Sequence, residues 1–135
     1  MGGYHPAKLD LYHDLITYQL SKGNMQVFNM LNTKYFIVQN PQTGKPMAQL
    51  NPNAFGNVWL AKGIKYVNTA DQEMLALDNT YLKDTAVIEN KVKDQILPAP
   101  MPDSAASIKL ISNLIDQISY SYNSKSRQVA VSTEV

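Results

Sequence analysis

Cysteine is absent from all 135 residues, which excludes disulfides, thiolate-held zinc, iron–sulfur clusters and thiol catalysis together. Its absence suits the cytosol and an extracytoplasmic face equally, so it leaves the compartment open. An excess of charge is also lacking: 12 lysines and arginines meet 11 aspartates and glutamates, for a net charge of +1. That balance gives no electrostatic footprint for nucleic acid or an anionic membrane. No run approaches the roughly 18 consecutive apolar residues of a bilayer span. The opening Met1-Gly2-Gly3-Tyr4-His5-Pro6 has neither a basic region nor an apolar core, so it does not read as a signal peptide.

What is present is an ordinary globular composition, 44% hydrophobic, in a chain long enough to bury about two-thirds of its surface around one core. Pro6 suits the first turn of a helix that runs to about Leu20. Along it Leu9, Tyr12, Ile16 and Leu20 form one stripe, and Leu11, Leu15 and Tyr18 lie nearly opposite. A helix apolar on two faces is sandwiched within the domain or keeps one face for a partner. Lys22-Gly23 stops it, and Asn24 caps a second short helix from Met25 to about Leu31.

Tyr35-Phe36-Ile37-Val38 reads as a buried strand, followed by a turn over Asn40–Pro46 and a partner strand near Met47–Leu50. Val58–Val67 is a strand interrupted at Gly63, which suggests a bulge. Thr69 with Gln72 makes a capping box for a helix over Ala70–Leu77, and Thr85–Glu89 is a further strand. The spacing divides the chain into an α/β part (1–96), a proline-rich connector (97–106) and a β-meander (107–135). In the last, strands at Ser107–Ile111, Ile118–Asn123 and Val129–Thr133 alternate apolar and polar residues, as in a three-stranded antiparallel meander with one wet face. Its final strand runs to Val135 without cap or polar tail and reads as cut short, since an open apolar edge invites association. The predicted fold class is therefore α+β: N-terminal helices, a central mixed or antiparallel sheet with a short helix, and a C-terminal antiparallel β-meander.

Reactive chemistry is harder to find. His5 and His13 are the only imidazoles; His13 sits beside Asp10 and Asp14 but no nucleophile motif is tied to it, and it reads as a surface side chain. Gly44-Lys45 ends like a phosphate loop, yet Pro46 stands where serine or threonine is required and Gln39 where the first glycine is required. The acids are scattered singly, without the spacing of a calcium loop. No catalytic, cofactor-binding or metal-ligating residue is assigned, and no cofactor is expected. Among the rings, Trp59 and the Tyr120–Tyr122 pair read as core, while Tyr4, His5 and Trp59 are the ligand-contact candidates.

Three stretches carry a resemblance: Gly3-Tyr4-His5-Pro6-Ala7-Lys8-Leu9, Asn29-Met30-Leu31-Asn32-Thr33-Lys34-Tyr35-Phe36-Ile37, and Asn51-Pro52-Asn53-Ala54-Phe55-Gly56-Asn57-Val58-Trp59. In this order and spacing they resemble the YfhO family of bacterial integral membrane proteins. The tail, Ile118–Ser124 and Val129–Val135, looks like that family's last strands before a final transmembrane helix. The resemblance is weakest from Lys91 to Ser107, and the segment Pro41–Gln49 stands apart from it. It implies a non-catalytic extracytoplasmic domain near the C-terminus of a polytopic membrane protein similar to lipid-linked sugar transferases of the cell envelope. The implied partners are the rest of that protein and an envelope glycan, with no catalytic residue carried over to this segment. Two other readings stay open: a glycan-binding module, for which exposure of Trp59, Tyr4, Tyr66 and Tyr81 is the discriminant, and a structural element that self-associates through its C-terminal strand.

Overall fold

The structure is a computed structural model, and it describes residues 10–96, 98–101 and 103–133. Helix α1 (Asp10–Leu15) passes directly into a π-helical turn (Ile16–Leu20). The Ser21 N–H donates to the Ile16 carbonyl five residues back (2.9 Å), and the Asn24 N–H to the Gln19 carbonyl (3.1 Å). A five-residue step widens the turn and rotates side chains off the 3.6-residue wheel. This overturns the expected stripes. Tyr12 and Tyr18 are exposed, Leu15, Ile16 and Leu20 are half-buried, and the side chain that goes fully inside is Gln19, 1% exposed. Pro6 and Leu9 lie outside the described residues, as does the side chain of Leu11. Gly23, at φ 76°, ends the element in the left-handed region that glycine adopts without steric cost.

Asn24 then caps α2 (Met25–Met30), its Oδ1 accepting from the Gln26 N–H at 3.0 Å. Asn32, at φ 55°, terminates that helix, a role asparagine tolerates better than most residues. Strands β1 (Tyr35–Gln39) and β2 (Pro46–Leu50) form an antiparallel hairpin in register Tyr35 with Leu50 and Ile37 with Ala48. Its turn is built by Asn40, whose Oδ1 accepts from the Gln42 and Thr43 N–H groups, and by Gly44 at φ 66°. The Gly44-Lys45 pair thus belongs to a hairpin loop.

The expected strand over 58–67 is two strands in two sheets. β3 (Val58–Ala61) pairs antiparallel with β8 (Val129–Ser132), whereas β4 (Gly63–Val67) pairs parallel with β5 (Thr85–Glu89). The switch occurs at Lys62, where the N–H groups of Lys62 and Gly63 both donate to the Asp84 carbonyl (2.7 and 3.0 Å). Both bonds go to one acceptor at the start of β5, so the break is a change of partner and no extra residue is inserted into a ladder. Helix α3 (Ala70–Ala76) makes the crossover that a parallel pair requires. Thr69 Oγ1 accepts from the Gln72 N–H while Gln72 Oε1 accepts from the Asn68 N–H, a box close to the one expected.

A 3₁₀ helix (Asn90–Gln95) follows, and after the connector come β6 (Ser107–Asn113) and β7 (Ile118–Asn123), antiparallel with a bulge at Ile111. The class is α+β and the chain closes on antiparallel strands. β8, however, leaves β7 to pair with β3, so the three strands do not form one continuous meander. The strand expected to be open is covered on one side. The connector is stitched to the β7–β8 turn: Asp103 accepts from the Lys125 and Ala105 N–H groups and from Ser124 Oγ, and the Met101 N–H donates to the Arg127 carbonyl.

Val27, Leu77 and Leu82 form the centre of the core, with Leu15, Leu20, Met30, Phe55 and Val87 packed around them. Buried polar side chains tie the elements together. Gln19 Nε2 donates to the Met74 carbonyl (2.7 Å) and Asn24 Nδ2 to the Leu77 carbonyl (3.3 Å), satisfying acceptors that the end of α3 leaves without helical partners. Asn24 Nδ2 also donates to Gln19 Oε1, and Lys22 pairs with Asp78. At a second joint Asn51 Nδ2 donates to Asn29 Oδ1 and to the Thr33 carbonyl, each at 2.8 Å, and the Asn51 N–H donates to the Lys34 carbonyl. This joint clamps the base of the β1–β2 hairpin.

Candidate functional site: an apolar cavity and an uncovered hairpin face

Two features stand out. The first is a half-open cavity of about 740 Å³ lined from α1, α2, α3, β3, β5 and β8. Apolar residues such as Leu15, Leu31, Leu77, Val87 and Val131 supply most of its wall, and half-exposed Tyr12 marks where it meets solvent. Its volume falls within the roughly 300–1,000 Å³ of small-molecule sites. The space opens to solvent beside Tyr12 and is accessible to water as well as to a ligand.

Polar residues interrupt the wall. Trp59, from β3, is 7% exposed and stacked edge-on against Phe55 with centroids 5.2 Å apart. Its indole Nε1–H is buried without a hydrogen-bond partner among the described residues, a costly state for a donor that water would otherwise satisfy. Glu73, from α3, is held above the usual carboxylate range, first by burial and then by the charge of Glu89, which Lys91 partly offsets. Lys91 itself lies 2.8 Å from Glu89, leaving Glu73 without a close cation of its own in that pair. Thr85 and Thr133 complete the polar lining, the latter donating to the Asn57 carbonyl (3.3 Å).

The second feature is the hairpin. Strand pleating puts Tyr35, Ile37, Ala48 and Leu50 on one face, and Tyr35 (60%), Ile37 (73%) and Leu50 (60%) are all largely exposed. The expected buried strand is thus covered on one face only: Phe36 packs edge-on against Phe28 at 5.4 Å while its neighbours face outward. Pattern reasoning could identify the strand, but not that its second apolar face lacks a neighbour among the described residues.

Of the ligand-contact candidates, Trp59 lines the cavity, while Tyr4 and His5 lie outside the described residues. Tyr66 is half-buried with Lys93 Nζ 5.2 Å from its ring centre, and Tyr81 is exposed. Tyr120 is half-buried with its hydroxyl unpartnered among the described residues, whereas Tyr122, expected in the core, is exposed at the far end of β7. His13 is exposed on α1. Among the described residues no group of three or more metal-ligating side chains converges, and no helix is long and apolar enough to cross a membrane.

No family model, curated protein or solved structure matches this chain. The resemblance to the YfhO family rests on the motifs quoted above. The sites rest on their own geometry. Sequence reasoning selected Trp59 but missed Glu73, which carries no motif and becomes notable only through the burial of its helix face, and it missed Gln19, Asn29 and Asn51, polar residues that lie outside every apolar stripe and are buried by partners distant in sequence.

Proposed function

We propose that this chain is a non-catalytic accessory domain on the extracytoplasmic side of a polytopic bacterial membrane protein of the YfhO kind, seated against the rest of that protein by the β1–β2 hairpin. The observation that carries this reading is the outward apolar face of Tyr35, Ile37 and Leu50 on a two-stranded sheet. Contiguous apolar surface with a defined geometry marks an interface. Strand β1 overlaps the second stretch that carries the resemblance, while most of β2 falls in the segment that stands apart from it; the buried Asn29–Asn51 joint holds the base of the hairpin. Such anchoring orders the face before association and lowers the entropy lost on docking. The domain's role is then to position the membrane core relative to its acceptor, and a reaction belongs to the remainder of the protein.

This chain has no cysteine, so single cysteines introduced into it report on their own positions in a parent otherwise freed of cysteine. In the full-length protein in native membranes, Ile37→Cys is expected to resist a membrane-impermeant maleimide until detergent separates the domain, while Ser121→Cys on exposed β7 reacts at once. Equal labelling of both before solubilisation overturns the docking. An open reading frame with no apolar spans beside this segment overturns the membrane assignment, and sugar transfer by the purified chain overturns the non-catalytic one.

A further inference from the structure

We propose that the half-open cavity is a preformed site for a lipophilic small molecule, whose hydrocarbon body lies against α3, β5 and the β3–β8 pair. The site is separate from the hairpin face and does not depend on the docking reading.

The lining is held in place by bonds that its own residues make. At α3, Gln19 Nε2 donates to the Met74 carbonyl and Asn24 Nδ2 to the Leu77 carbonyl, and both acceptors belong to residues that line the cavity. At the β3–β8 pair, Trp59 and Val131 are cross-strand partners, and both line it as well. The Thr133 N–H donates to the Asn57 carbonyl (3.0 Å) at the end of that ladder, and Phe55 braces the Trp59 ring edge-on. Along β5, Ala86 and Val87 are fixed by the parallel ladder to Ile64 and Lys65 of β4. Closing the space would break at least one of these ties. A site held open in this way loses little entropy when it is filled, which is the usual condition of a small-molecule pocket.

The class of ligand follows from the wall. Leu15, Met30, Met74, Val87 and Val131 bring apolar side chains from five different elements to one space. Water against such a wall makes fewer hydrogen bonds than in bulk, so a hydrocarbon that displaces it gains its transfer free energy from solvent. Met30 and Met74 are unbranched and adapt to a solute of irregular outline. The volume of about 740 Å³ is that of a small-molecule site, well above the room one water needs.

Trp59 is the only tryptophan and lines the cavity, so its emission reports on the site. Titrating the full chain with 1-hexanol, 1-octanol and 1-decanol, each below its solubility limit, is expected to give a saturable change at one molecule per chain. The hydroxyl is common to the series, so the trend isolates the hydrocarbon. Affinity is expected to rise about fourfold with each added methylene. Val131→Phe, which takes up space from β8, is expected to abolish binding of 1-decanol as read by calorimetry. Ala86→Phe takes up space from β5 and replaces it should circular dichroism show the first variant unfolded. Absence of a saturable response to any of the three alcohols in the folded chain overturns the site. Affinity that does not change with chain length overturns the hydrocarbon body, and unchanged binding by a folded, filled variant overturns its placement in this cavity.

Discussion

The contact between α3 and the opening helix and the contact at the β1–β2 hairpin solve opposite problems. At α3 the interface is decided by polar atoms: Gln19, Asn24 and Lys22 reach the carbonyls of Met74 and Leu77 and the carboxylate of Asp78. The two bonds to carbonyls complete acceptors that the helix end leaves over, and the ion pair adds a third fixed point between the two elements. At the hairpin the pattern reverses. Its base is clamped by Asn51, yet its outer face presents Tyr35, Ile37 and Leu50, largely exposed and apolar but for the Tyr35 hydroxyl. A buried polar joint specifies geometry within the domain, while the uncovered apolar face leaves a direction in which the domain can associate.

That contrast can be broken. The largest expected effect is at Gln19: replacement by alanine removes two hydrogen bonds at a fully buried site, orphans the Met74 carbonyl and leaves a void, for a loss of about 3 kcal/mol in urea unfolding. Gln19→Leu sharpens the point, because it restores packing but not the donor, and about half of that loss is expected to persist. A fully rescued leucine variant would show that packing alone holds α3 in place.

Next comes Asn51→Ala, which leaves Asn29 Oδ1 and the Thr33 carbonyl without their donor and is expected to cost about 2 kcal/mol. Its amide-exchange signature should concentrate in β1 and β2, where the clamp is lost. On the outer face of the same hairpin Ile37→Ser is expected to change the stability of the purified chain by no more than about 0.5 kcal/mol, since its side chain already lies in water. A large destabilisation by Ile37→Ser would mean that the face is covered by this chain itself.

Two smaller effects depend on pH. Asp103 accepts from the Lys125 N–H first, then from the Ala105 N–H and Ser124 Oγ, and these bonds hold its folded pKa below the ordinary 3.8. Its contribution is present above pH 3.8 and is lost as pH falls through the depressed folded value. Asp103→Asn should therefore flatten the acid limb of the stability profile below that pH. Glu73 behaves oppositely: burial raises its folded pKa above the ordinary 4.5, so the folded state binds the extra proton and stability declines as pH rises from 4.5 through the raised value. Glu73→Gln should remove that decline, visible as a denaturation midpoint that no longer falls between acid and neutral pH.

Local chemistry was legible wherever neighbours in sequence supply both partners. Asn24 and Thr69 as helix caps, Gly23 as a stop, the Asn40–Pro46 turn and the positions of the strands all depend on interactions spanning a few residues, and the α+β class follows from their order. The stripes of the first helix were misread because a π turn changes the angular step after Leu15, and nothing in a 3.6-residue pattern signals that change. The strand over 58–67 was read as continuous because a switch of partner at Lys62 is made by a carbonyl 22 residues away in the chain. β8 was assigned to β7 by proximity in sequence, whereas its hydrogen bonds are made with β3.

By itself, then, the sequence determined the helix caps, the turns, the strand segments and the lack of thiol chemistry, because each rests on residue type and short-range geometry. Tertiary structure alone decided which strands pair, that Gln19 and Asn51 go inside, and that Trp59 and Glu73 meet the same apolar space. Those outcomes depend on long-range satisfaction of buried donors and acceptors. A linear pattern records the donors and acceptors themselves, and only the fold chooses their partners.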